Sequence, residues 1–226
     1  MTTSSPPSSA LGEIARIEEF HALSGQLTRF LMEYKFGIDE ITTKISILQE
    51  EFAHLHDYNP IEHVLSRVKS PESIFDKMQR RGVASDIEAI RAEITDIAGV
   101  RVTCSFTSDV YRVFDLLSGQ PDIEVIQVED YIAAPKENGY RSLHALVETP
   151  VHLSDRVVPV IVELQLRTVA MDFWASLEHK IYYKYRTDVP AELLRELKEA
   201  ADTAASLDEQ MERLHGAARH SGTMPL

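Results

Sequence analysis

Residues 157–167 read Val-Val-Pro-Val-Ile-Val-Glu-Leu-Gln-Leu-Arg. Drawn with the two-residue period of a β-strand, Val158, Val160, Val162, Leu164 and Leu166 fall on one side. Glu163, Gln165 and Arg167 fall on the other. Such a strand belongs to a sheet that packs helices on its aliphatic face and keeps the opposite face wet, as an antiparallel or mixed sheet allows. Three further stretches have the same form. Ile61–Lys69 sets His63, Leu65, Arg67 and Lys69 against Glu62, Val64, Ser66 and Val68. The segment from Asp96 to Phe106 turns into a strand with Arg101, Thr103 and Ser105 opposite Val100, Val102 and Cys104. From about Tyr140 to Thr149, the side chains of Tyr140, Ser142 and His144 share a face. Ile123–Val128 supplies a fifth strand.

Between and around the strands the spacing turns helical. Leu11, Ile14, Ile17, Phe20, Leu23, Leu27, Phe30 and Leu31 form one stripe. The pattern falters at Gly37 and resumes through Ile38, Ile41, Ile45, Leu48, Phe52 and Leu55, as one broken helix or two. Ser70-Pro71 starts a helix, with serine as N-cap and proline at the first helical position. That helix turns Ile74, Phe75 and Met78 inward and Lys77, Arg80 and Arg81 outward, and Gly82 ends it. Short helices follow from Asp86 to about Glu93 and from Ser108 to Ser118. A long one runs from Thr168 to Tyr185, with Met171, Trp174 and Leu177 as a core stripe, and a last one from Pro190 to about His215. The chain therefore reads as an α+β protein: a five-stranded sheet flanked by helices, with N- and C-terminal helical extensions. The expected parts are a loose tail at 1–10, N-terminal helices at 11–57, the sheet domain at 58–187, and a C-terminal helix and tail at 188–226.

Composition narrows the function. A net charge of −13 over 226 residues argues against a general nucleic-acid binder, which presents a basic surface. The two ends, 1–57 and 188–226, contribute −9 of that total, so the centre keeps cations enough to receive a polyphosphate. No apolar run approaches the ~20 residues of a membrane span, and the first residues lack the basic start and apolar stretch of a secretory signal. The lone cysteine, Cys104, excludes an internal disulfide and reads as a core residue. Together these point to a cytoplasmic protein.

The chemistry collects on the open face and in one loop. Residues 130–144 read Asp-Tyr-Ile-Ala-Ala-Pro-Lys-Glu-Asn-Gly-Tyr-Arg-Ser-Leu-His. Lys136, the Asn138-Gly139 turn, Tyr140 and His144 suit a flat, anionic ligand such as a nucleotide. Tyr140 is either a stacking platform for a base or a core tyrosine. His144 is either a phosphate contact or a satisfied strand histidine. Arg67, Lys69, Lys77, Arg80 and Arg101 read as clamps for a triphosphate, because guanidinium is planar and permanently charged. Arg81 is expected to face solvent. Asp96 and Glu163, from separate strands, form a candidate Mg²⁺ pair, since this ion takes few carboxylates and completes its shell with phosphate oxygens. The alternative is that each pairs with a nearby arginine. His56-Asp57 stands at a helix end without further metal-ligating partners. No Gly-Lys-Ser/Thr phosphate loop occurs.

Four motifs now come together: Ser66–Ser70 (Ser-Arg-Val-Lys-Ser), Asp96–Arg101 (Asp-Ile-Ala-Gly-Val-Arg), Asp130–His144, and Val162–Thr168 (Val-Glu-Leu-Gln-Leu-Arg-Thr). In this order and spacing they resemble the RelA/SpoT synthetase domain. Ala170–Lys180 resembles its small, single-domain alarmone synthetases in particular. The resemblance spans roughly residues 15–215. It implies a mixed five-stranded, nucleotidyltransferase-like sheet and transfer of pyrophosphate from ATP to the 3′-hydroxyl of GDP or GTP. By motif position, Arg67 and Arg101 sandwich the adenine, and Lys69, Lys77 and Arg80 bind the ATP phosphates. Asp96 and Glu163 hold Mg²⁺, with Glu163 also accepting the hydroxyl proton. Tyr140 stacks on the guanine, while Lys136, His144 and Gln165 line the acceptor side. The family's small members commonly form homotetramers, and some are activated by pppGpp. Where those carry an aromatic in the first strand and an asparagine in the tryptophan helix, this chain has His63 and Asp172. An added carboxylate would repel phosphate, which argues against such activation here.

Overall fold

The computed structural model describes residues 8–84, 86–185 and 189–221. Its elements run α1 (Ser8–Leu55), β1 (Ile61–Val68), α2 (Pro71–Arg81), α3 (Ile87–Glu93), β2 (Ala98–Cys104), α4 (Thr107–Ser118), β3 (Glu124–Asp130), β4 (Leu143–His152), β5 (Val157–Thr168), α5 (Val169–Tyr185) and α6 (Ala191–Ser221). The sheet order is β1-β2-β5-β4-β3. Only β2 and β5 pair in parallel; the other neighbours are antiparallel. The sheet is thus mixed, with two edge strands, β1 and β3.

Burial follows the alternation. Val158, Val160, Val162, Leu164 and Leu166 of β5 and Val100 and Val102 of β2 are buried with Ile38, Ile41, Ile45 and Phe52 of α1 and Val110, Val113 and Leu117 of α4. Cys104 is buried among them. Helix α1 does not break at Gly37. A Cβ there would stand 2.6 Å from Val160 Cγ1, so the glycine lets the helix lie close on β5. The roughly 1 kcal/mol that glycine costs a helix is offset by that contact. Residues 8–10, expected in a loose tail, begin α1. Residues 1–7, the domain boundary at 187/188 and the tail 222–226 lie outside the described residues, as do the side chains of the stripe Leu11–Leu23.

Helix α2 is capped as its sequence requires: Ser70 accepts a hydrogen bond from Ser73 N–H, and Gly82 closes the helix at φ +67°. Ile74 and Met78 are buried, but Phe75 is 52% exposed, against expectation. One helical turn has only one inward face, and Ile74 and Met78, four apart, already fill it. Leu177 is likewise exposed at 40%, while Met171 and Trp174 are buried. Strand β4 begins at Leu143, so Tyr140 and Ser142 precede it rather than lying on it.

Candidate active site

Strand register lays the polar residues out in two rows across the open face. Arg67 of β1 pairs with Gly99 of β2, which pairs with Glu163 of β5. In the next row, Arg101 of β2 pairs with Gln165 of β5, which pairs with His144 of β4, which pairs with Glu129 of β3. Two cavities open on these rows. One of about 190 Å³ has Arg67, Gly99, Arg101 and Gln165 in its wall. The other, about 350 Å³, has Lys77, Arg81, Asp96, Glu129 and His144. Glu163 lines both. A cavity of about 360 Å³ lies away from these rows, where α1 and α3 meet β5. Two of its arginines, Arg91 and Arg156, are already paired with Glu33, at 2.5 and 3.0 Å.

Asp96 sits just ahead of β2, and backbone pairing of Lys69 N–H with Ile97 O brings Lys69 beside it. Lys69 Nζ donates to Oδ2 at 2.6 Å, and Lys77 Nζ lies 2.8 Å from Oδ1. Burial acts to raise the Asp96 pKa, but the two lysines outweigh it and hold the carboxyl below the ordinary aspartate range. Asp96 is therefore an anion at neutral pH. Its pairing is with lysines, not the arginine that sequence reasoning offered as the alternative. Arg80 lines neither cavity; it is exposed and donates to the carbonyl of Asp76 in its own helix. Arg81 is exposed as expected, yet it borders the larger cavity and donates to Glu93 O.

Glu163 accepts from Gln165 Nε2 at 3.1 Å and faces His144 Nδ1 at 3.7 Å. Gln165 Oε1 accepts from Arg167 at 2.9 Å and from Arg101 at 3.5 Å. Gln165, expected on the acceptor side, thus also lies among the donor-side arginines. Burial, then Arg167 and Lys136, pull the His144 pKa down to about 4, so the imidazole is neutral at pH 7. The Tyr140 hydroxyl lies 2.7 Å from His144 Nε2 and accepts from Arg167 Nη2 at 2.6 Å. One side of the tyrosine packs on the cluster of Trp174, Leu197 and Ala201. Lys136 Nζ sits 4.2 Å from the Tyr131 ring centre and 5.2 Å from that of Tyr140, a cation shared by two aromatic faces.

Two residues matter more here than their sequence context indicated. Arg167 is only 4% exposed and ties Tyr140 to Gln165 and Asp172. Asp172 Oδ1 accepts from both Arg101 and Arg167 at 3.3 Å. Its carboxylate is therefore compensated by two guanidiniums, which removes the reason for treating it as a free phosphate-repelling charge. His63 is exposed on β1. The signal for Arg167 was present: it continues the polar stripe of Glu163 and Gln165.

Comparison with known proteins agrees with this arrangement. Residues 66–188 match the family described as the region found in RelA / SpoT proteins. GTP pyrophosphokinase YwaC of Bacillus subtilis is 54% identical over 181 residues, covering 80% of this chain and 86% of that protein. Among solved structures, small alarmone synthetase 2 from Bacillus subtilis superposes with a TM-score of 0.75 at 51% identity, covering 83% and 96% of the two chains. Small alarmone synthetase 1 from Bacillus subtilis, bound to its product pppGpp, gives 0.78 at 36% identity, covering 85% and 97%. The matched region takes in every one of the motifs laid along the two rows, and the chain belongs to the RelA/SpoT family, among its small alarmone synthetases.

Proposed function

We propose that this chain is a GTP diphosphokinase that transfers pyrophosphate from ATP to the 3′-hydroxyl of GDP or GTP, releasing AMP and forming ppGpp or pppGpp. The observation that carries the reading is the position of Glu163 where the two cavities meet. A transfer enzyme has to bring donor and acceptor together at one point, and positioning with charge neutralisation supplies most of the rate in such chemistry.

Arg67 and Arg101 line the smaller cavity and suit the adenine of ATP, one guanidinium on each side. Lys69 and Lys77 suit its phosphates, with Arg80 reaching them from the next turn of α2. Tyr140 offers its ring to the guanine, while Lys136, His144 and Gln165 line the acceptor half. Glu163 takes the proton of the 3′-hydroxyl as that oxygen attacks the β-phosphorus, and AMP leaves with the α-phosphate.

Asp96 and Glu163 would hold Mg²⁺. Both are oxygen donors, both line one cavity, and Asp96 is ionised at neutral pH. Among the described residues no group of three or more His, Cys, Asp or Glu is placed to bind a metal. A pair suits an ion that draws its remaining ligands from phosphate and water. When bound, the ion would neutralise charge on the transferring group.

We also propose that the enzyme works in the cytoplasm as a homotetramer. The buried free thiol of Cys104 fits a reducing compartment. No helix among the described residues is long and apolar enough to cross a membrane. The test of function is turnover: with Mg²⁺ and ATP, GDP should give ppGpp and AMP in equal amounts. GTP, ADP and tRNA serve as parallel acceptors. The absence of both products with GDP and GTP would sink the reading, and product from ADP or tRNA alone would redirect it.

A further inference from the structure

We propose that Arg167 is a positioning residue that fixes the Tyr140 ring and, through the tyrosine hydroxyl, sets the tautomer of His144 that faces Glu163. The inference rests on the reading above, in which Tyr140 meets the guanine and Glu163 the attacking hydroxyl.

Arg167 is almost fully buried, and each nitrogen of its fork has a partner. Nη2 donates to Tyr140 Oη at 2.6 Å and Gln165 Oε1 at 2.9 Å; Nη1 donates to Asp172 Oδ1 at 3.3 Å; Nε donates to Ser142 Oγ at 3.4 Å. Ser142 is itself anchored, donating to Leu166 O at 3.2 Å. The guanidinium carbon lies 5.2 Å from the Tyr140 ring centre. A buried arginine is costly to place without a full set of acceptors. Here that set comes from four residues: Tyr140 and Ser142 in the loop before β4, Gln165 on β5 and Asp172 on α5. The ring is held at its hydroxyl end and packed along one side on the Trp174 cluster, with Lys136 also over it.

The same bonds order the protons. Arg167 has only donors, so the phenol oxygen accepts from it. The phenol's own proton is then directed at His144 Nε2, 2.7 Å away. A neutral imidazole that accepts at Nε2 carries its hydrogen on Nδ1, which points to Glu163 Oε1 at 3.7 Å. Arg167, Tyr140 and His144 therefore form a directional hydrogen-bonded chain that leaves the Nδ1–H of His144 facing the proposed base. Through Asp172 the same guanidinium is tied to Arg101 in the smaller cavity. One buried side chain holds both half-sites in register.

The test uses the full chain with three test substitutions and His144→Gln as the assignment control. Tyr140→Phe keeps the ring and removes the relay, Arg167→Lys keeps the charge and removes the fork, and Tyr140→Ala removes the platform. Nitrogen-15 NMR of the His144 ring, assigned against His144→Gln, reads the tautomer. Tyr140→Phe should move the proton off Nδ1, leave the GDP KM within about twofold and lower kcat about tenfold. Arg167→Lys should shift the tautomer too, lower kcat and raise the GDP KM. The double variant should be no worse than the poorer single one, because both break one chain. Losses that multiply, or an unchanged Nδ1–H tautomer in both single variants, would overturn the proposal. If Arg167→Lys does not fold, Tyr140→Phe decides alone, and an unchanged tautomer with kcat within twofold of the parent is the negative result. Tyr140→Ala separates this from the underlying reading. If it leaves the GDP KM unchanged, the guanine platform is wrong. If it raises the GDP KM tenfold while tautomer and cycle show no effect, the platform stands and the positioning role falls.

Discussion

Gly139 and Gly82 both take positive φ, +89° and +67°, but their surroundings differ. A Cβ on Gly82 would meet nothing within 4 Å, whereas one on Gly139 would stand 2.6 Å from the Cβ of Ala201. Gly82→Ala is expected to cost about 1–2 kcal/mol for the left-handed backbone and to leave the kinetics unchanged. Gly139→Ala should cost more and raise the GDP KM, because the turn carrying Tyr140 must lift off α6. Thermal melts and acceptor kinetics check this; equal losses of stability with an unmoved KM would count against it. At Asp96 the expectation concerns charge. Asp96→Asn removes the anion between Lys69 and Lys77, so ATP binding measured in EDTA should hold or tighten while Mg²⁺-dependent turnover falls at least 100-fold. Weaker metal-free binding would show that Asp96 mainly orders the lysines. The open-face residues were legible because a period of two assigns each side chain to a face. Arg167 was not singled out, because its meaning depends on Tyr140, 27 positions earlier, and on Asp172 in the next helix. Phe75 misled because a helix pattern allows three inward candidates where the packed turn uses two.

Among the elements, the strands and α2 were readable from local rules, but the docking of α6 was not. Besides apolar packing on Trp174, polar and aromatic contacts fasten this helix. Trp174 Nε1 donates to Leu197 O at 2.7 Å, and Thr168 Oγ1 donates to Asp208 Oδ2 at 2.6 Å. Ser108 N–H donates to Glu212 Oε2 at 3.2 Å, and His215 stacks on Phe106 at 4.3 Å. Phe106, at the N-cap of α4, makes no side-chain cap bond, so Glu212 supplies the missing acceptor from 104 residues away. No local pattern carries such a pairing. Asp208 gives this strap a pH dependence. Burial raises its pKa, the Thr168 hydroxyl opposes that, and Glu212 adds to the rise while Arg141 lowers it. A raised folded pKa means the native state binds the proton more tightly than the unfolded chain, so the cost of the buried charge is present in full above that pKa and falls away as pH drops from there to the ordinary aspartate value. Asp208→Asn keeps an acceptor for Thr168 and removes the charge. It should raise Tm by about 2–4 °C at pH 8, with the gain shrinking as pH falls through the carboxylate range. A gain independent of pH, or a loss at pH 8, would contradict this account.

At the scale of the whole molecule, two features pull in opposite directions. The chain carries −13, mostly from the sequences of α1 and α6, and a tetramer that joined copies through these terminal helices would bring like charges together. Like charge opposes that contact. Apolar side chains favour it: Ile47 and Leu55 on α1, Phe173 on α5, and Leu207, Met211 and Leu214 on α6 are all exposed in the single chain. Phe173, Leu207, Met211 and Leu214 lie on the paired helices α5 and α6, and exposed apolar residues of this kind suit a partner surface. Apolar burial changes little with moderate salt, while repulsion is screened over a Debye length of ~10 Å at 0.1 M. Salt should therefore promote assembly, the reverse of what an interface built on ion pairs would show. Light scattering at micromolar concentration is expected to give about four times the 25.5 kDa chain mass in 0.3 M NaCl and a smaller mass in 10 mM salt. Phe173→Glu combined with Leu207→Glu should lower the mass at both. A mass of one chain at 0.3 M salt would remove the tetramer. A mass that falls as salt rises would keep an assembly but assign it to charge pairing.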